Sequence, residues 1–195
     1  MPRTPEQYEQ IRKEKKLIIC ETALELFAQN GYHATPISQI AKEADISKGL
    51  LYNYFESKEE LLTNIIDNEF NELIDSFDLN KDNILTDEEF SFFLHSLFKI
   101  LDKRRSFWKL FFSLMLQVSV APLIDPRVKA WYEMFTSVLD DFFTKRNIKN
   151  PRTEALTFRA MLDGLSFDYV INPDMFPVND VVNHIIDKYQ INNTQ

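Results

Sequence analysis

Apolar side chains in this chain recur at intervals of three and four residues. Leu17, Cys20, Leu24 and Phe27, flanked by Ile19, Ala23 and Leu26, make a wide apolar stripe on one helix. Alternating β-branched runs are scarce, so the predicted fold class is all-α. The first helix is expected over residues 6–30, closed by Gly31 in a left-handed cap. Thr35-Pro36 reads as an N-cap with proline in the first helical position, opening a short helix through Ala44. Asp45-Ile46 is a tight turn, and Ser47 caps a second short helix ending near Phe55. Ser57-Lys58-Glu59-Glu60 is a capping box that opens a long helix to about Phe77. Further helices are expected over 87–102, 105–120, 126–147, 152–171 and 178–190, with Pro122, Pro126, Pro151, Pro173 and Pro177 in the gaps. This pattern divides the chain into a small unit, 1–57, and a larger helical body, 58–195.

Several classes of function are excluded by what the sequence lacks. The three glycines, Gly31, Gly49 and Gly164, are too far apart to cradle a phosphate. A single cysteine allows no internal disulfide and suits a reducing compartment. His33, His95 and His184 show no zinc-type spacing. No nucleophile elbow is present, so neither an enzyme nor a cofactor is expected. The stretch from Leu110 to Ile124 is uncharged but too short to span a bilayer, and no membrane partner is expected. Met1-Pro2-Arg3-Thr4-Pro5-Glu6 is polar with no apolar run behind it, which predicts no secretory signal and a cytoplasmic address.

The net charge of -8 means that any nucleic acid must be met by a local patch. One such patch is legible. Ile40, Ala41, Ala44, Ile46 and Leu51 have the packing pattern of a helix-turn-helix, small where the two helices approach and bulky in the turn. Its second helix would enter the major groove of double-stranded DNA with its N-terminus leading. Ser47 and the helix start suit a phosphate, Lys48 adds charge, and Gly49 lets the backbone come close. Leu50 suits a thymine methyl and Asn53 a base edge or phosphate. Tyr52 and Tyr54 can donate to phosphates, and Lys58 would hold one at the next helix start. Thr35, at the opening of the first short helix, completes the candidate DNA-contacting set. Arg12, Lys13, Lys15 and Lys16 form a second basic cluster.

Ala23–Phe27, Gly31-Tyr32-His33-Ala34-Thr35, Ile40-Ala41-Lys42-Glu43-Ala44, Ile46–Phe55 and Ser57–Leu61, in that order and separation, closely resemble the N-terminal domain of TetR-type bacterial transcriptional regulators. The resemblance covers about residues 11–62. Asp45 stands where that family often has glycine, and aspartate tolerates a left-handed backbone. The resemblance implies a homodimer, an operator site on DNA, a helical C-terminal domain that binds a small-molecule effector, and release of DNA on binding, as in a repressor. It also implies that the last two helices pair the subunits. Ala155, Phe158, Leu162 and Leu165 would supply one stripe, and Val181, Val182, Ile185 and Ile186 the other.

The C-terminal body is rich in large apolar residues. Trp108, Phe111, Met115, Trp131, Phe135, Phe158 and Met161 are the candidate lining of an effector pocket, whose ligand would be hydrophobic or aromatic. One further segment offers an alternative function. Asp78, Asn80, Asp82, Ile84, Thr86 and Glu89 occupy ligand positions of an EF-hand-like calcium loop, with Asn83 in place of its sixth-position glycine. The same residues, Thr86 to Glu89, also spell a helix capping box, which needs no metal.

Overall fold

The computed structural model describes residues 4–77, 79–117 and 119–189. Among them the regular structure is helical throughout. The chain forms two compact units, residues 1–68 and 69–195, which part inside a helix rather than at its start.

In the first unit α1 (Pro5–Asn30) begins with a reciprocal cap. Thr4 Oγ1 accepts from the Gln7 amide, and the Gln7 side chain accepts from the Thr4 amide. Ile19, Cys20, Ala23, Leu24 and Phe27 are buried, but Leu17 is 56% exposed and does not belong to the core stripe. At the far end Gly31 takes φ +84° and ψ 151°, a positive-φ backbone that favours glycine but is extended rather than the left-handed cap expected, and its amide donates to the Phe27 carbonyl at 2.9 Å.

The next element departs from expectation. Thr35 does not cap α2 (Ile37–Glu43); Pro36 holds the N-cap position. Thr35 is instead fully buried, and its hydroxyl donates to the carbonyls of Leu26 and Gly31. It closes orphan acceptors at the end of α1, a more valuable use of a buried hydroxyl than an exposed cap.

The turn to α3 (Lys48–Tyr52) runs through Asp45 at φ +52°, with the Ile46 amide donating to the Ala41 carbonyl at 3.0 Å. Ser47 Oγ accepts from the Leu50 amide at 3.0 Å. Ile40, Ala41, Leu51 and Phe55 are almost wholly buried, so the two short helices lock through the apolar positions read from the sequence. Ser57 then accepts from the Glu60 amide and α4 (Lys58–Phe77) begins.

The second unit contains the rest of α4, α5 (Asp87–Lys103), α6 (Arg105–Met115), α7 (Ala121–Lys145), α8 (Pro151–Ile171), a 3-10 turn at Pro173–Met175 and α9 (Val178–Lys188). α7 packs along α8, and α5 meets both α8 and α9. α6 stops earlier than predicted, and Leu116 beyond it is exposed. α7 starts earlier, because Pro122 rather than Pro126 sits in its opening turn. Pro126 lies inside the helix, where it removes the bond its amide would have sent back to the Pro122 carbonyl and crowds that carbonyl. Arg104, between α5 and α6, donates through Nε to the buried Glu69 carboxylate of α4 at 2.9 Å. That charged fork ties the α5–α6 corner to α4. Among the described residues no helix is long and apolar enough to cross a membrane.

Candidate functional site

α3 presents two opposite faces. Leu51 and Phe55 point inward and are buried, whereas Ser47, Lys48, Gly49, Leu50, Tyr52 and Asn53 are exposed and Tyr54 is half-buried. Leu50 is 39% exposed, which places an apolar side chain on an otherwise polar outer face. A Cβ added at Gly49 would meet no atom of the chain within 4 Å, so nothing in the protein itself calls for glycine there. The basic start of α1 lies beside this helix. Arg12 sits 5.7 Å from the Tyr54 ring and Lys16 5.0 Å from the Phe55 ring, while Lys48 lies 5.9 Å from the Tyr52 ring. Arg12 and Lys16 of the α1 cluster thus lie against the two residues, Tyr54 and Phe55, that follow α3.

Two of the residues predicted to touch DNA have other positions. Thr35 is sealed in the core, as described above. The Lys58 ammonium donates to the carbonyls of Tyr32 at 2.9 Å and Thr35 at 3.0 Å and lies 4.5 Å from the Tyr32 ring. Partial burial draws its pKa below the ordinary lysine value. Lys58 is thus a clamp on the connection between α1 and α2. The carbonyls it meets lie 26 and 23 residues back along the chain, a contact that spacing alone does not reveal.

The aromatic body of the second unit encloses a cavity of about 50 Å³. Trp108, Phe111, Trp131 and Phe135 line it, as expected. Met115 and Met161 do not, and neither does Phe158, which packs instead with Phe90, Phe143 and Tyr189 at ring separations of 5.2–6.0 Å. The sequence reading missed Phe70 and Leu73, because they belong to α4, and it missed the polar edge formed by Tyr132, Arg159, Asp163 and Ser166. Phe70 is central: its ring lies 5.7 Å from Trp108, 5.1 Å from Phe111 and 5.4 Å from Trp131. Arg159 donates to the Asp163 carboxylate at 3.0 Å and covers the Tyr132 ring at 4.1 Å. Burial pushes the Tyr132 hydroxyl up to about 12 and raises the Asp163 carboxyl above its usual range. The period of a helix can reveal Arg159 and Asp163 as neighbours four apart, but not that they face rings from α4 and α7.

The calcium-like segment is organised by its own backbone. Asp78 lies outside the described residues. Asp82 accepts from the Ile84 amide at 2.7 Å, and Asn80 accepts from the Asp82 amide at 3.1 Å. Asn83 adopts the left-handed backbone expected of it, at φ +60°. Thr86 and Glu89 form a reciprocal cap on α5, in which the buried Glu89 carboxylate accepts from the Thr86 amide and hydroxyl. The helix cap accounts for Thr86 and Glu89, and among the described residues no three His, Cys, Asp or Glu side chains gather as a metal site.

Comparison with known proteins agrees with the helix-turn-helix. The profile of bacterial regulatory proteins of the tetR family matches residues 19–65, the stretch from mid-α1 into α4. The Staphylococcus epidermidis negative transcriptional regulator of the icaADBC biofilm operon, IcaR, is 30% identical over 129 residues, covering 65% of this chain and 66% of that one. The chain belongs to the TetR family. Its relatives are transcriptional regulators rather than enzymes. The Bacillus subtilis HTH-type regulator YuxN is 57% identical over 54 residues, 28% of this TetR-family chain but only 19% of its own length. The chain thus spans about a fifth of that relative's length. The structure of Bacillus subtilis FadR in complex with stearoyl-CoA superposes with a TM-score of 0.72 at 19% identity, over 92% of this chain and 99% of that one, so the two share a fold that includes the C-terminal body.

Proposed function

We propose that the chain is a homodimeric, ligand-responsive transcriptional repressor that holds its operator through α3 and releases it when a small apolar effector occupies the aromatic cavity. The observation that carries the reading is the outward face of α3, where a lysine, a glycine without an internal contact and an exposed leucine stand together over a buried Leu51–Phe55 anchor. Ser47, Lys48, Gly49, Leu50, Tyr52, Asn53 and Tyr54 are the DNA-contacting set, with Arg12 and Lys16 beside them; the domains divide between this reading head and an effector-binding body. α4 links the two roles, since Lys58 at its start clamps the first unit and Phe70 and Leu73 near its end line the cavity. An effector that favours one arrangement of α4 over another would lower DNA affinity by linkage.

A second copy of the chain has a suitable surface to occupy. The residues expected to pair subunits, Ala155, Phe158, Leu162, Val182, Ile185 and Ile186, are buried within a single chain and hold α8 and α9 to their own body. The opposite face of α8 carries Leu156, Ala160, Gly164, Phe167 and Ile171, spaced by four, four, three and four residues and all exposed. Small residues at 160 and 164 between larger apolar ones suit close approach of a symmetry-related helix.

Gly49 offers a test with opposed signs. In an exposed helix, alanine for glycine stabilises by about 0.5–1 kcal/mol. Gly49→Ala should therefore raise the melting temperature slightly while weakening binding to a selected operator by about tenfold, or about 1.4 kcal/mol. Thermal unfolding and fluorescence anisotropy at one fixed salt concentration read the two effects. Unchanged DNA affinity would remove α3 from the interface.

A further inference from the structure

We infer that the cavity selects a compact, uncharged aromatic molecule carrying a carbonyl-type hydrogen-bond acceptor, an inference that rests on the cavity being the effector site. Three N–H groups of its lining residues, Trp108 Nε1, Trp131 Nε1 and Arg159 Nε, are buried and donate to nothing in the chain. Buried donors without partners are rare in folded proteins, because each forfeits its hydration. Three on residues that line one cavity can be met by an acceptor brought from outside. The remaining wall is rings: Trp131 stacks on Phe135 at 5.0 Å, and Phe70 stands edge-on to both Phe111 and Trp131. Flat apolar ligands match such walls.

Charge is already balanced at the polar edge. Arg159 is paired with Asp163, and the two indoles are neutral donors. An anionic ligand would add a second negative charge beside Asp163, and a cationic one would meet Arg159 and three N–H donors. A neutral acceptor meets neither objection. The room of about 50 Å³ is short of the roughly 150 Å³ that takes a benzene ring, so a single ring enters only as lining side chains shift, and a long chain would need a far larger shift.

Trp108 and Trp131 are the only tryptophans in the chain, and both line the cavity, so intrinsic fluorescence reports its occupancy. Acetophenone, α-methylstyrene and benzoate share one size and differ in having a neutral acceptor, no acceptor, or a charged one. Titrated into the full chain, acetophenone should bind about tenfold more tightly than either of the others. Trp131→Phe and Trp108→Phe keep an aromatic wall while removing one N–H each; each should cut that preference severalfold with little change for α-methylstyrene. Equal binding of acetophenone and α-methylstyrene, stronger binding of benzoate, or no response to any of the three would overturn the inference. The same titration repeated with operator DNA separates the two readings: acetophenone preference without any loss of DNA affinity supports the ligand class and removes the effector role.

Discussion

Gly164→Arg should leave the chain folded and helical but monomeric, with operator affinity lowered by about a hundredfold or more. Gly164 lies in the interior of α8, where glycine is less favourable than alanine by about 1 kcal/mol. A Cβ there would meet nothing within 4 Å, so its own chain supplies no reason for the small residue. Its neighbours on that face, Leu156, Phe167 and Ile171, are 44–49% exposed. A partner helix resting on this stripe would explain both facts. An arginine would place an unpaired charge in the middle of such an apolar contact, which two subunits do not tolerate. Two linked half-site contacts typically gain about 10²–10⁴ in avidity over one, and a monomer loses that gain. Light scattering coupled to gel filtration gives the assembly state, and circular dichroism checks the fold. A variant that stays dimeric at micromolar concentration would move the interface elsewhere on the molecule.

Lys58→Met is expected to destabilise the protein without specifically altering its salt dependence on DNA. The ammonium joins the Tyr32 and Thr35 carbonyls, on residues that are themselves 3% and 0% exposed. Hydrogen bonds to a charged donor contribute about 1.5–3 kcal/mol each. Lys58 is half-buried, and the desolvation that lowers its pKa offsets part of the two bonds, so the combined loss should be about 1 kcal/mol, mostly from taking a donor away from two buried carbonyls. Methionine keeps the apolar stem over the Tyr32 ring and isolates the loss of the charge. Urea unfolding measures the change. If stability is unchanged while the slope of log K against log salt falls by about 1 per copy, Lys58 is a phosphate ligand after all.

The local code of this chain is legible because it is written in short-range chemistry. Gly31, the Asp45 turn, Ser47 and the Ser57 cap each act within four residues, and each is found where the spacing puts it. Errors begin where a side chain finds a distant partner. Thr35 looks like a cap until the end of α1 comes within reach of its hydroxyl, and Lys58 looks like a phosphate ligand until the 32–35 carbonyls do. Pro126 reads as a break because its cost is judged without Pro122, which already opens the helix one turn earlier. The cavity follows the same rule. Four ring positions were legible from aromatic density in α6 and α7, while Phe70, Arg159 and Asp163 join them only through tertiary packing of α4 and α8. The residues expected to pair subunits lie on the more apolar face of α8, and that face is consumed by the chain's own core. The opposite face, less apolar and interrupted by a glycine, is exposed.

A cleavage probe on α3 addresses the central claim directly. Leu50→Cys places a thiol on the exposed face of the helix. The native Cys20 is buried and its thiol is pushed up to about 12, so it stays largely protonated and unreactive toward a labelling reagent. An iron chelate tethered at position 50, with operator DNA selected from a random pool, should cut at two symmetric clusters centred in successive major grooves, about 34–36 Å apart. DNA that is bound and protected but uncut by this probe, or cut in a single cluster, would contradict reading by a paired α3.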